Sequence, residues 1–304
     1  MEIYYGNKNI LLKVTDLYAD KLQKNIKFII PANDTERALL FGDPIYGIVK
    51  KVYIINKFGN LVEFDDTCEI TIENRDIYVK SSCIFYNKLH DIQGQLLIHH
   101  GTFDEEFPEQ KMAVRYLTGN EKILEIGGNI GRMSLITSYI LKDSSNIVTL
   151  ETDLENCKKL EENREINNFH FNIEPSALSK RKLIQKGWDT IPSDILLDGY
   201  KWVNTITLDE LKNKYNIQFD TLLIDCEGAF YFILIDMPEI LDNINLIIME
   251  NDYRDKTHKE YVDSVLIKNN FYVDYSEMGG GGVCVTHFYE VWKKSNIIIN
   301  NKII

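Results

Sequence analysis

Apolar positions follow two different rhythms along the chain. Up to about residue 100 they come in short β-rich runs at 10–14, 27–30, 48–55 and 69–72. Turn signals such as Lys57-Phe58-Gly59-Asn60 separate these runs, and the one helix expected among them is a short one after Asp34. The pattern predicts a β-rich N-terminal module over residues 1–100.

From residue 104 helix-period and strand-period segments alternate. A helix is expected over 104–117, with Pro108 in its first turn. Strands are expected over 122–126, 147–150, 171–173, 220–224 and 246–249, and helices over 132–141, 154–167 and 208–215. The strands are apolar on both alternating sets of positions, so both faces are buried, as in a parallel sheet flanked by helices. Alternating β and α units of this length predict a doubly wound α/β domain over 101–295. Its end departs from alternation. A strand over 271–277, a glycine run over 279–282 and a strand over 286–293 predict an antiparallel hairpin. Residues 296–304 form an apolar, Asn-rich tail that either packs on a neighbour or is disordered.

Composition narrows the partners. The 304 residues are 44% hydrophobic and 26% charged, an ordinary globular profile that permits a full core. The net charge of -12 repels phosphodiester backbones, so nucleic acid is not expected as a partner. Lys180, Arg181, Lys182 and Lys186 cluster, and a solvated loop accounts for them. The five cysteines, Cys68, Cys83, Cys157, Cys226 and Cys284, are odd in number, widely spaced and without a CxxC pair. That argues against a disulfide framework and against zinc. No basic and apolar blocks of a signal peptide open the chain, and no apolar run reaches ~18 residues. A soluble, cytoplasmic protein without a membrane span is expected.

The most informative segment is Leu124-Glu125-Ile126-Gly127-Gly128-Asn129-Ile130-Gly131, which joins a buried strand to a helix. Gly127 and Gly131 remove side chains where the backbone turns sharply and approaches a ligand. A dinucleotide site needs GxGxxG, and that spacing is absent. The pattern is instead acid-x-Gly-x-Asn-x-Gly. An acid on the strand suits a ligand carrying an ammonium and a sulfonium, so Glu125 favours S-adenosylmethionine. Glu151 follows the second strand, about 20 residues past the turn, where a carboxylate accepts hydrogen bonds from ribose hydroxyls.

In this stretch the chain resembles the FkbM family of methyltransferases. The resemblance runs through residues 120–252. It takes in the glycine turn, Leu150-Glu151-Thr152-Asp153, Glu162-Asn163-Arg164-Glu165-Ile166-Asn167 and Ser176-Ala177-Leu178-Ser179. It continues with Thr207-Leu208-Asp209-Glu210-Leu211, Leu223-Ile224-Asp225-Cys226-Glu227-Gly228 and Ile247-Ile248-Met249-Glu250. It implies a Rossmann-like class I methyltransferase domain, a mostly parallel seven-stranded sheet ending in the antiparallel hairpin. It implies O-methylation of hydroxyls, often on sugars or secondary metabolites. It implies a cofactor lined by Glu125, Gly127, Asn129, Gly131 and Glu151, with Ser176 and Ala177 beside the adenine. Gly128 stands where the family usually has Ala, a conservative departure. Thr152-Asp153 replaces Pro-Asp, and Ala229-Phe230 replaces Ala-Glu. The first hundred residues lie outside the resemblance.

Methyl transfer needs alignment and removal of a hydroxyl proton. Asp225 ends the fourth strand and lies beside the cofactor position. Asp225 and Glu227 are candidate catalytic carboxylates. His258, in a polar stretch over 251–259, and His287, after the glycine run, are candidate general bases. Asp225, Glu250 and Asn251 offer an oxygen-rich set for Mg²⁺, and orientation of the substrate by hydrogen bonds without metal is the equal alternative. The glycine run reads either as a mobile flap or as a floppy turn. The expected acceptor is a sugar hydroxyl, in a nucleotide sugar or a glycan. The alternatives are a non-sugar secondary metabolite, or a non-catalytic assembly or glycan-binding module on a degenerate methyltransferase scaffold. The N-terminal module is expected to serve homo-oligomer contacts or acceptor positioning.

Overall fold

The computed structural model describes residues 1–7, 10–45, 49–81 and 84–295. The expected tail over 296–304 and Cys83 lie outside the described residues. The chain divides into two compact units, Met1–Asn87 and Lys88–Ile304. The division falls inside the helix Ile84–Gln93.

The first unit holds two small antiparallel sheets. One has the strands Leu11–Lys13, Glu2–Gly6, Lys51–Ile55 and Leu61–Phe64 in that order, and the other has Phe28–Ile30, Cys68–Glu73 and Asp76–Ser81. A single apolar core, including Ile3, Tyr5, Phe28, Ile54 and Ile70, holds them. The helix expected after Asp34 forms over Asp34–Phe41. Its Arg37 is buried and donates to the carbonyls of Pro31, Asp65 and Cys68. A guanidinium satisfied this way tolerates burial.

The second unit is built on a seven-stranded sheet. Its strands are β1 (Ile123–Ile126), β2 (Ile147–Leu150), β3 (Asn172–Glu174), β4 (Thr221–Ile224), β5 (Leu246–Glu250), β6 (Phe271–Glu277) and β7 (Tyr289–Lys294). They lie in the order β3-β2-β1-β4-β5-β7-β6. β1 to β5 are mutually parallel, while β7 runs antiparallel to both β5 and β6. This is the Rossmann-like methyltransferase fold, with the order reversing between β1 and β4.

Among the described residues six helices accompany the sheet: α1 (Phe107–Tyr116), α2 (Arg132–Ile140), α3 (Leu154–Ile166), α4 (Leu208–Tyr215), α5 (Phe230–Asp236) and α6 (Lys256–Lys268). Pro108 sits in the first turn of α1, where its missing N–H costs nothing. Asp153 caps α3 through the N–H groups of Glu155 and Asn156. Thr207 and Glu210 form a reciprocal capping box on α4, and Asn216 stops that helix in the left-handed conformation. Among the described residues no helix is long and apolar enough to cross a membrane. The four described cysteines are free.

Three segments differ from expectation. The loop-rich stretch after β3 carries a small antiparallel sheet of Leu183–Lys186, Asp189–Pro192 and Lys201–Val203. The polar stretch 251–259 gives way at Lys256 to α6, which buries Val262 and Leu266 in the core. The last strand begins at Tyr289, preceded by a 3-10 turn over Gly282–His287. The glycine run is packed in its first half and open at Gly281 and Gly282. A Cβ on Gly279 or Gly280 would stand 2.1 Å from the ring of Tyr289 or Phe288.

Candidate functional site

The site grows from the turn after β1. Gly127 has φ +98, and a Cβ there would lie 1.6 Å from the carbonyl oxygen of Asp225. Only glycine lets the ends of β1 and β4 meet this closely. The N–H groups of Gly127 and Gly128 both donate to the carbonyl of Leu150, tying the turn to β2. The next N–H, that of Asn129, donates to Glu151 Oε2 at 2.7 Å. The other oxygen of Glu151 accepts from the N–H of Asp153 at 2.7 Å. Glu151 in turn donates its own N–H to the carbonyl of Glu174. One carboxylate therefore joins the carboxyl ends of β1 and β2, and its backbone reaches β3. Ser176 is held by Glu174, whose Oε1 accepts from the hydroxyl at 2.8 Å.

A cavity of about 760 Å³ opens over these strand ends. Gly127, Asn129, Glu151, Ser176, Ala177, Asp225, Glu227 and Glu250 line it, so eight of the residues expected from the sequence come together. The others are placed elsewhere. Glu125 is 2% exposed and turns into the packing beneath the turn, where it accepts from the hydroxyl of Ser134 on α2. Gly131 starts α2, and a Cβ there would strike Leu160 at 2.3 Å, so its glycine serves helix packing. Asn251 is fully buried and donates through Nδ2 to the carbonyl of His287, which ties β5 to the hairpin. His258 stacks on Tyr231 at 3.8 Å between centroids, and His287 pairs with the Thr286 hydroxyl. Neither imidazole lines the cavity among the described residues.

Sequence reasoning missed several lining residues. Glu106 precedes α1 in a left-handed conformation, and Arg132 holds it at 2.8 Å while also binding Glu105 and the carbonyl of Thr102. Gln185 and Trp188 come from the small extra sheet. Gln185 donates to the Thr152 hydroxyl, which leaves its Oε1 buried without a hydrogen-bond partner. No local motif announces such residues, because strands of an inserted sheet carry only weak periodicity.

The lining is rich in carboxyl groups. Glu106, Glu151, Asp153, Glu155, Asp225, Glu227, Asp236 and Glu250 face it among the described residues, against Lys159 alone. Around the ends of β4 and β5, burial and like charge hold protons on. Glu227 is raised to about 8 by burial and by Asp252, and Glu250 to about 10 by burial and by Glu109. Burial, then Glu250, raises Asp225 well above the usual carboxylate range. Glu109, on α1, is raised to about 7 by burial. One oxygen each from Glu109, Asp225 and Glu250 lie within 4.8 Å of one another. In a second group of this kind, His99, His100 and Glu162, the Oδ1 of Asn163 accepts from the backbone N–H groups of both histidines, and His100 Nε2 pairs with Glu162. The cavity thus suits a cationic ligand of nucleoside size.

No protein-family model and no curated protein matches the chain. Among solved structures the chain is similar to an O-methyltransferase from Bacillus cereus in complex with SAH, at 15% identity and TM-score 0.40, covering 69% of this chain and 91% of that one. It is also similar to a ribosomal protein L11 methylase from Lactobacillus delbrueckii subsp. bulgaricus, at 11% identity and TM-score 0.38, covering 63% and 79%. A third is an rRNA methylase from Streptococcus thermophilus, at 8% identity and TM-score 0.38, covering 62% and 94%. Strand order and direction in the chain itself carry the fold.

Proposed function

We propose that the chain is an S-adenosylmethionine-dependent O-methyltransferase. The observation that carries this reading is Glu151. It lines the cavity at the end of β2 while two backbone N–H groups fix its carboxylate. A carboxylate so held presents its remaining lone pairs to a ribose diol without reorganising. Ser176, Ala177 and the free Oε1 of Gln185 stand where the adenine of such a cofactor would be received. The carboxylate wall favours the sulfonium and ammonium over a pyrophosphate.

S-adenosylmethionine supplies a methyl on a sulfonium, so the acceptor oxygen forms its bond to carbon as the carbon–sulfur bond breaks. Asp225 and Glu227 line the cavity past the β4 end and would take the hydroxyl proton. Glu227, raised to about 8, matches a base working near neutrality. His258 and His287 are not assigned this task, given their places outside the lining.

The acceptor proposed is a sugar hydroxyl, on the resemblance of residues 120–252 to FkbM methyltransferases. The carboxyl-rich lining supports a neutral acceptor over a polyanionic one such as RNA. The N-terminal unit is proposed for self-association or acceptor positioning, and light scattering of the full chain tests the first of these. The test of the main reading is calorimetric titration of S-adenosylhomocysteine, with NAD as control. Micromolar binding that is weakened in Glu151→Gln supports it. Absence of binding removes it.

A further inference from the structure

Methyl transfer as outlined leaves Glu109 without a task. It lies in the first turn of α1, which packs on β5. It is 3% exposed, and its buried carboxylate finds no donor beyond its own backbone N–H and the Glu250 carboxyl. The groups it meets are carboxylates. One of its oxygens lies within 4.8 Å of an oxygen of Asp225 and of an oxygen of Glu250. Among the described residues none of the three has a salt-bridge partner. Nearby cations are committed elsewhere, Lys111 to Glu277 and Arg132 to Glu105 and Glu106.

Burying even one carboxylate without a donor costs several kcal/mol. Placing three together, with the most buried one meeting no cationic donor, is answered either by retained protons or by one cation in the middle. The donors are hard oxygens contributed by three separate elements, α1, β4 and β5, which is the set that Mg²⁺ and Mn²⁺ select over softer metals. Asp225 and Glu250 also line the cavity, so a cation here keeps coordination positions open to it. Asn251 spends its Nδ2 on the carbonyl of His287, while its Oδ1 is buried without a hydrogen-bond partner and adds a further hard oxygen just past β5.

We infer that Glu109, Asp225 and Glu250 form a binding site for one hard divalent cation of the Mg²⁺ class, at the edge of the cavity where β4 and β5 end. Its use, polarising the acceptor hydroxyl, rests on the transfer reading above. Its existence does not.

Mn²⁺ titration of the EDTA-treated full chain, followed by calorimetry and electron paramagnetic resonance, tests the site. Wild type is expected to take one Mn²⁺ per chain in competition with Mg²⁺. Glu109→Gln and Glu250→Gln each lose at least about tenfold in affinity, the low end of what even outer partners of a metal cost. Melting separates a lost ligand from a damaged fold. In EDTA both variants melt at or above wild type, because a like charge is gone, and Mn²⁺ raises the wild-type melting temperature only. No saturable binding at millimolar Mn²⁺ overturns the proposal. So does wild-type affinity in both variants. S-adenosylhomocysteine is titrated into the same samples. Mn²⁺ binding without it leaves the cation site standing and removes the transfer reading, and the converse result does the opposite.

Discussion

Glu125→Gln should make the protein more stable at pH 8 and no more stable at pH 4.5. Glu125 sits on β1 between its strand neighbours Thr149 and Leu223, with the Ser134 hydroxyl donating to its Oε2 and the Thr149 hydroxyl beside it. Burial raises its carboxyl from 4.5 to about 7. At about 1.4 kcal/mol per tenfold, that rise corresponds to about 3 kcal/mol. The sign follows from proton binding. Between pH 4.5 and 7 the folded chain holds this proton and the unfolded chain releases it, so stability falls as pH rises through that window. The penalty is absent below the window and complete above it. The amide of Gln keeps an acceptor for Ser134 and offers a donor to Thr149, and it cannot ionise. Urea unfolding followed by tryptophan fluorescence reads the right unit, because Trp188, Trp202 and Trp292 all lie beyond residue 88. With a slope of about 1–3 kcal/mol per molar, the variant's midpoint should exceed wild type by about 1 M or more at pH 8. The two should converge at pH 4.5. A midpoint difference that does not change with pH would refute the reasoning. Cofactor affinity should stay near wild type, and its loss would return Glu125 to the ligand.

Glu151→Gln gives up one of two charge-assisted acceptors, so S-adenosylhomocysteine affinity should fall by about 10- to 100-fold in calorimetry. Unchanged affinity would detach Glu151 from the cofactor. Gly128→Ala puts a Cβ 2.3 Å from Thr149 Oγ1, so it should destabilise by about 1–3 kcal/mol in denaturant melts. The double variant with Thr149→Ala should recover most of that, and additivity of the two changes would contradict the contact. Because Glu227 is held near 8, the cavity gains negative charge as pH rises through that value. The affinity of cationic S-adenosylmethionine relative to neutral S-adenosylhomocysteine should therefore climb from about pH 6 to about pH 9. A flat ratio would count against a charged wall at the sulfonium.

What the sequence disclosed and what it hid divide along one physical line. β1, β2, β4 and β5 were legible because strands buried on both faces are continuous apolar runs, and α4 because Thr207 and Glu210 announce its start. That Gly127, Asn129 and Glu151 come together at one cavity was legible because they lie at strand ends, where position along the chain fixes position in space. Gly128 was misjudged as interchangeable with Ala. The obstacle is Thr149 on the neighbouring strand, and cross-strand neighbours are set by register rather than by local pattern. Glu125 was read as a ligand for the same reason. Its strand position was right, but the direction of its side chain depends on α2 packing over it.

Glu109 shows the limit most plainly. In sequence it follows the run Asp104-Glu105-Glu106 after Phe107 and Pro108, and acids at a helix start are usually solvated and serve the helix dipole. Three of its near neighbours behave differently from it: Glu105 and Glu106 bind Arg132, and Gln110 is satisfied by the carbonyls of Phe103 and Glu105. Only Glu109 is carried onto β5, because α1 packs there and the first-turn face that meets the sheet includes position 109. Its partners, Asp225 and Glu250, are more than a hundred residues away and end two different strands. Burial without a cationic donor is what separates it from the acids of the run. A buried carboxylate with no cationic donor is a demand for either a proton or a cation. Without metal, protons held on Glu250 and Asp225 by burial and like charge meet that demand, whereas one divalent ion displaces them and answers all three carboxylates at once.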